Sequence, residues 1–486
     1  MSHHYQLPPS VKHGLTLLGG ATLAQVIPAL ASPLIARLYV PSAIGAFAFA
    51  LAVLGVLTPT VCLRYDIAIV LPDDDERATH LTALCLLIGA AGAVLSVVTL
   101  LVVLHAGANP GVHTVVPLLL AMVPLGIGLV TFQLVGQSWS LRLHRYQLQS
   151  RAIVAQALVT VAAQIGLIPL LGASALALVF GTLAGYTALV LMYLPLFRDI
   201  VPLLRQFHSR QGMLQAARSY MRFPLYTGPY AFLGQMSVRI AVLLLAGFTA
   251  ARVVGQYALA QRVIFLPVVT LMAAASQIFY SRAARRPDDP RMPHMVATML
   301  LAGPVIVGPF FVLVVLFAEP VFDLVFGHPW RQAGHFAAIL ALPSMVKTLT
   351  AWLDRVYDIR GRQLLPLILT AVYVATLLIA MYLALRLTHD ASLAVMVYAA
   401  VTVLFYLVWM GCALVVAGYS SRLGAQFVAV TAAVIALMLG ADSLVSWLDD
   451  SIALRFVCAT LLAAVLCLAG LWFAMGRMRA MEQLAR

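Results

Sequence analysis

The chain has 486 residues, 63% of them hydrophobic and only 10% charged, with a mean hydropathy of +0.99. An ordinary soluble domain carries about 25% charged residues, so a water-soluble globular enzyme is excluded and the composition predicts an all-α, polytopic membrane protein. The formal charge of +13 is assigned to loops on one side of a membrane and to anionic headgroups, not to nucleic acid.

Taken in chain order, apolar stretches of about 20 residues fall at 15–38, 44–63, 81–104, 114–139, 153–171 and 174–196. They make an N-terminal six-helix bundle, 1–197, followed by a cytoplasmic basic linker, 198–222. Further stretches at 223–248, 253–280, 295–317, 336–357, 364–385 and 393–417 make a C-terminal six-helix bundle, 223–417. Two appended helices, 427–445 and 452–475, and a tail complete 418–486, which gives about 14 transmembrane helices. When loops are assigned alternately to the two sides, one set holds only Arg37, Arg252, Arg331, Arg386 and Arg455 of the basic residues. The other set is richer by roughly four to one, which predicts that both termini are cytoplasmic.

A shift of 210 positions lays Gln25 on Gln235, Gly45 on Gly255 and Phe47 on Tyr257, and carries helices 1 and 2 onto helices 7 and 8. An offset of six helices preserves orientation, so the halves read as parallel repeats about an axis along the membrane normal, as in alternating-access transporters. Pro28, Pro33, Pro124, Pro304, Pro309 and Pro343 interrupt spans and suit helices that bend between two states, although membrane helices tolerate such breaks for packing alone.

The five cysteines sit in apolar stretches without metal-ligand or redox spacing and read as small hydrophobes. No nucleophile elbow, phosphate-cradling loop or metal-spaced histidine cluster occurs, so the sequence predicts neither an enzyme nor a cofactor. Three basic residues lie well inside spans: Arg239, Arg262 and Lys347. By helix rise Arg239 is roughly 20 Å, and Arg262 roughly 15 Å, from the outer Arg252. Each costs about 2.5–3.5 kcal/mol against lipid, so they are expected to face the protein interior. The 17 Asp and Glu residues are expected in loops or at helix ends, with Asp354 and Asp358 nearest a span interior.

Buried cations without buried carboxylates suit an anion, and arginine suits phosphate through its planar fork. Gln235 shares a helix face with Arg239, Gln261 precedes Arg262, and Gln25 adds an uncharged donor in the first half. The structural alternative is that the glutamines link helices and the cations bond helix carbonyls. Arg37, just before Pro41, either faces inward or snorkels out, and Arg64 either joins the site or pairs locally with Asp66.

Some of these residues are familiar as a set. Gly19-Gly20-Ala21 through Gln25, Ala31-Ser32-Pro33-Leu34, Arg37-Leu38-Tyr39-Val40-Pro41, Arg64-Tyr65-Asp66-Ile67-Ala68-Ile69-Val70-Leu71-Pro72 and Val254-Gly255-Gln256-Tyr257-Ala258-Leu259-Ala260-Gln261-Arg262-Val263 resemble the polysaccharide biosynthesis/export family of bacterial flippases. That family belongs to the multidrug/oligosaccharidyl-lipid/polysaccharide flippase superfamily. The resemblance implies two six-helix bundles around a central cavity in the bacterial inner membrane. It also implies translocation of a polyprenyl-diphosphate-linked oligosaccharide, for O-antigen, capsule or exopolysaccharide, from the cytoplasmic to the outer leaflet. Arg239, Arg262 and Lys347 would then hold the diphosphate, with Arg37, Arg64, Gln25, Gln235 and Gln261 completing the substrate site. Expected partners are membrane lipid, a polysaccharide polymerase, glycosyltransferases and a proton or sodium coupling ion. Alternatives are a multidrug/cation antiporter of the same fold, disfavoured by the missing intramembrane acid, and a flippase for peptidoglycan lipid precursors.

Overall fold

A computed structural model describes residues 9–106, 110–207, 209–283, 292–362, 364–449 and 451–483. Among them there is no strand, and the chain runs almost entirely as helix, because in hydrocarbon only a helix satisfies its own backbone donors and acceptors. The long helices are α1 (Pro9–Leu38), α2 (Pro41–Leu57), α3 (Asp75–Ala106), α4 (Pro110–Arg142), α5 (Tyr146–Gly166), α6 (Ala175–Met192) and α7 (Gly228–Phe248). They continue with α8 (Ala251–Ala283), α9 (Met292–Phe326), α10 (Arg331–Thr350), α11 (Leu364–Thr388), α12 (Ala391–Ala417), α13 (Arg422–Leu448) and α14 (Ile452–Gln483). Among the described residues 13 segments are long and apolar enough to cross a membrane. The other long helix is α8, of 33 residues, which is interrupted by Gln256, Gln261 and Arg262.

Helix ends follow local chemistry. Pro41 occupies the first turn of α2, where a missing N–H costs nothing. The Asp390 side chain accepts from Ser392 N at 2.8 Å to cap α12, and Gly418, at φ 74°, ends it in the left-handed conformation that glycine adopts without penalty. Gly172, at φ 66°, closes the short helix Ile168–Leu171 that separates α5 from α6.

The chain forms two compact units, Met1–Gly255 and Gln256–Arg486. In the first, α5 packs on α6 and α1, α4 on α3 and α6, and α7 on α2. Its core includes Met122, Trp139 and Tyr193, and Trp139 donates to Thr82 Oγ1 at 2.8 Å. Gly136 lies directly against the Tyr193 ring, where a Cβ would stand 2.5 Å from a ring carbon. In the second unit, α9 packs on α10, α13 and α14, while α12 packs on α10 and α11. The appended pair thus sits against α9, around Val312, Met438 and Ala463. Trp447, Leu468 and Trp472 on that pair remain exposed, an apolar surface that water would not tolerate and lipid does.

The repeat has a structural counterpart inside the first unit. A Cβ on Gly45 would stand 1.8 Å from Ala251 O, and one on Gly255 would stand 1.9 Å from Pro41 O. Pro41 and Ala251, like Gly45 and Gly255, are 210 residues apart. The contact is therefore reciprocal, each glycine meeting the backbone of the other segment.

Candidate functional site

In the first unit Arg239 projects from α7 toward α2. A Cβ on Gly55 would lie 3.1 Å from Arg239 Nε and 3.5 Å from its Cζ, so a glycine at that position leaves space for the guanidinium. Nε is buried and makes no hydrogen bond, and Tyr186 on α6 is the neighbour that interacts with it electrostatically. Gln235, one turn earlier on α7, is half-buried. Arg64 lies at the other end of α7, its Cγ 3.9 Å from where a Gly228 Cβ would stand, and its Nε is also buried without a hydrogen bond. Gln235 is thus on the same helix as Arg239, while Arg64 lies against the first turn of that helix. Gln25 and Arg37 are exposed on α1, Arg37 in its last turn.

The Arg64 segment carries strain. Leu63 and Arg64 both have positive φ, 47° and 63°, a conformation that costs a non-glycine residue roughly 1–2 kcal/mol. Asp66 follows with 5% exposure, and its Oδ1 has no hydrogen-bond partner. Among the described residues no ion pair joins it to Arg64. Burial pushes its carboxyl above the usual range, and the Arg64 charge pulls the other way without prevailing.

In the second unit Arg262 stands on α8 and is exposed, and Gln261 beside it is half-buried. Lys347 stands on α10, about one turn after Pro343 and in the last turn of the helix. Its Nζ lies 5.6 Å from the Phe265 ring centre and 5.9 Å from that of Tyr406. Among the described residues no carboxylate comes within 4.0 Å of Lys347 or Arg239. Other glutamines do tie helices together: Gln256 Nε2 donates to Pro329 O at 2.6 Å, and Gln164 Nε2 donates to Thr182 Oγ1 at 3.2 Å.

One expectation needs correction, that every acidic residue lies in a loop or at a helix end. Asp442 is buried within α13, and Arg455 of α14 holds it through two bonds of 3.0 and 2.5 Å. The pair persists in an apolar setting because each charge neutralises the other and the fork geometry matches. Asp354 and Asp358, following α10, flank Arg355 at 3.7 and 3.4 Å. Among the described residues no group of three or more His, Cys, Asp or Glu side chains could hold a metal, and all five cysteines are free.

The surroundings of Lys347 are what the sequence reading missed. Tyr398, Thr402, Tyr406 and Trp409 recur at three- and four-residue spacing on α12, a one-sided polar-aromatic stripe that was visible as such. That the stripe faces Lys347, some 50 residues earlier, depends on how α10 packs on α12.

The sequence pattern of a family described as polysaccharide biosynthesis protein matches residues 34–335, more than half the chain. No curated protein sequence matches. Among solved structures, the lipid II flippase MurJ in an inward closed conformation superimposes with a TM-score of 0.72 at 11% identity, covering 94% of this chain and 98% of that one. A multidrug resistance MATE family transporter of the MOP superfamily, inward-facing, gives 0.51 at 16% identity, covering 87% and 97%. A MOP superfamily transporter from Pyrococcus furiosus gives 0.55 at 15% identity, covering 85% and 96%. At these identities the likeness is one of fold: a multi-pass membrane protein built as transporters of this superfamily are.

Proposed function

Because the chain belongs to the polysaccharide biosynthesis protein family, we propose that it is a flippase. It carries a polyprenyl-diphosphate-linked oligosaccharide repeat unit from the cytoplasmic to the outer leaflet of a bacterial inner membrane, by alternating access, for surface polysaccharide assembly. The observation that carries this reading is the pair of cations Arg239 and Lys347, set within membrane-spanning helices with no carboxylate in ion-pair reach among the described residues. A cation left without counter-charge in an apolar setting costs several kcal/mol, and an anionic cargo supplies what the protein withholds. Arg239 and Arg262 are the planar forks suited to the diphosphate, and Lys347 is a third positive charge. Arg64, Arg37, Gln25, Gln235 and Gln261 complete the proposed contacts, while the polyprenyl tail stays in lipid throughout. A polysaccharide polymerase, glycosyltransferases and a proton or sodium ion belong to the same proposal. The halves 1–197 and 223–417 would be the bodies that move.

The test is transport in proteoliposomes loaded with a fluorescent polyprenyl-diphosphate oligosaccharide, read as the fraction reaching the opposite leaflet. Wild-type protein should move it, and Arg239→Ala or Arg262→Ala should each slow it by about tenfold or more, the loss of a charge-assisted bond to phosphate. Undiminished transport in both variants would remove their assigned roles. Drug efflux that collapses with an ion gradient, without lipid movement, would favour an antiporter instead.

A further inference from the structure

Lys347 differs from Arg239 and Arg262 in the company it keeps. Two rings flank its ammonium, Phe265 at 5.6 Å and Tyr406 at 5.9 Å, and Tyr398 lies within electrostatic reach. Beside them the Tyr373 hydroxyl bonds Thr402 Oγ1 at 2.9 Å, and its ring stacks on Phe405 with centroids 4.0 Å apart. Phe265, Tyr398, Phe405 and Tyr406 all keep part of their surface accessible. Flat rings edged with hydroxyls suit a pyranose, which presents C–H bonds on its face and hydroxyl groups around its rim.

Charge is what this surface adds. Aromatic faces attract an ammonium but bring no formal negative charge, so among the described residues no carboxylate in ion-pair reach balances the positive charge of Lys347. The nearest acid along the chain, Asp354, lies past the end of α10, beside Arg355 at 3.7 Å. A diphosphate diester brings two negative charges, which the guanidinium forks of Arg239 and Arg262 match in number and shape. Lysine offers instead a compact point charge with three donors, suited to a single carboxylate. Resting on the flippase reading, we propose that the carried glycan is acidic. A carboxylate-bearing sugar of the repeat unit is read by Lys347, with its ring held by Phe265, Tyr398 and Tyr406.

The experiment compares two polyprenyl-diphosphate-linked disaccharides that differ only at C6 of the outer sugar, one a glucose and the other a glucuronic acid. Wild-type protein in proteoliposomes should move the acidic probe about tenfold faster than the neutral one, the discrimination of a charge-assisted bond. Lys347→Gln should bring that ratio near one, and Lys347→Arg should restore part of it. Equal wild-type rates, or faster movement of the neutral probe, would overturn the acidic-glycan assignment and leave the flippase reading standing. A Lys347→Gln protein that slows both probes by the same factor would overturn it too, by assigning Lys347 to the diphosphate they share. If the wild type moves neither probe, the flippase reading itself fails, and this assignment with it.

Discussion

Asp66 is a carboxyl held out of water with one oxygen unbonded, next to two residues in strained backbone. The hydropathy pattern located Arg239 because an arginine among apolar neighbours stands out in one dimension. It gave no sign that Leu63 and Arg64 turn left-handed, because nothing in their side chains demands it. The consequence is a pH response. Asp66 binds its proton more tightly in the folded protein than in the unfolded chain, where a carboxyl titrates near about 3.9. A raised folded value means that its contribution to stability is full below that range and is lost as pH rises through the raised value. The thermal unfolding midpoint of the detergent-purified protein should therefore fall more steeply between pH 4 and neutrality than that of Asp66→Asn. Parallel slopes in the two proteins would remove Asp66 as the source.

At the scale of elements, the close approach of α2 to the first turn of α8 depends on glycine at both of its centres. Each missing Cβ is replaced by a backbone carbonyl oxygen of the other segment, Ala251 O at Gly45 and Pro41 O at Gly255. Backbone cannot swing aside as a flexible side chain does. Gly45→Ala and Gly255→Ala should each destabilise the protein by about 1–3 kcal/mol or more, and by similar amounts because the contact is reciprocal. Gly234 and Gly247 on α7 meet nothing within 4 Å, so alanine there should be neutral or stabilising by up to about 1 kcal/mol. Thermal unfolding of the four variants checks this, and equal losses at all four would mean that lost helix flexibility, not crowding, is responsible. The 210-residue offset was readable as a pattern. That its two glycines touch was not, since a repeat fixes which residues correspond and leaves open which of them meet.

For the molecule as a whole, hydropathy carried almost the entire fold, because lipid removes every option for the backbone except helix and length then counts the spans. The partners of those helices were far less legible. Neither the Asp442–Arg455 pair between α13 and α14 nor the rings around Lys347 follow from any local window. Sidedness is the remaining global property, and it rests on charge: the stretch before α7 concentrates Arg198, Arg205, Arg210, Arg218 and Arg222, while the turn between α13 and α14 is followed by Arg455 alone. Basic residues are retained on the cytoplasmic side during insertion, so Ser209 is expected inside and Ser451 outside. Both positions are exposed, and of the native cysteines Cys62 and Cys85 are buried and the rest only partly exposed, which keeps background labelling low. A membrane-impermeant maleimide should label Ser451→Cys in intact cells and Ser209→Cys only after permeabilisation. The opposite pattern would invert the protein in the membrane, and with it the direction in which Arg239 and Lys347 are proposed to receive their cargo.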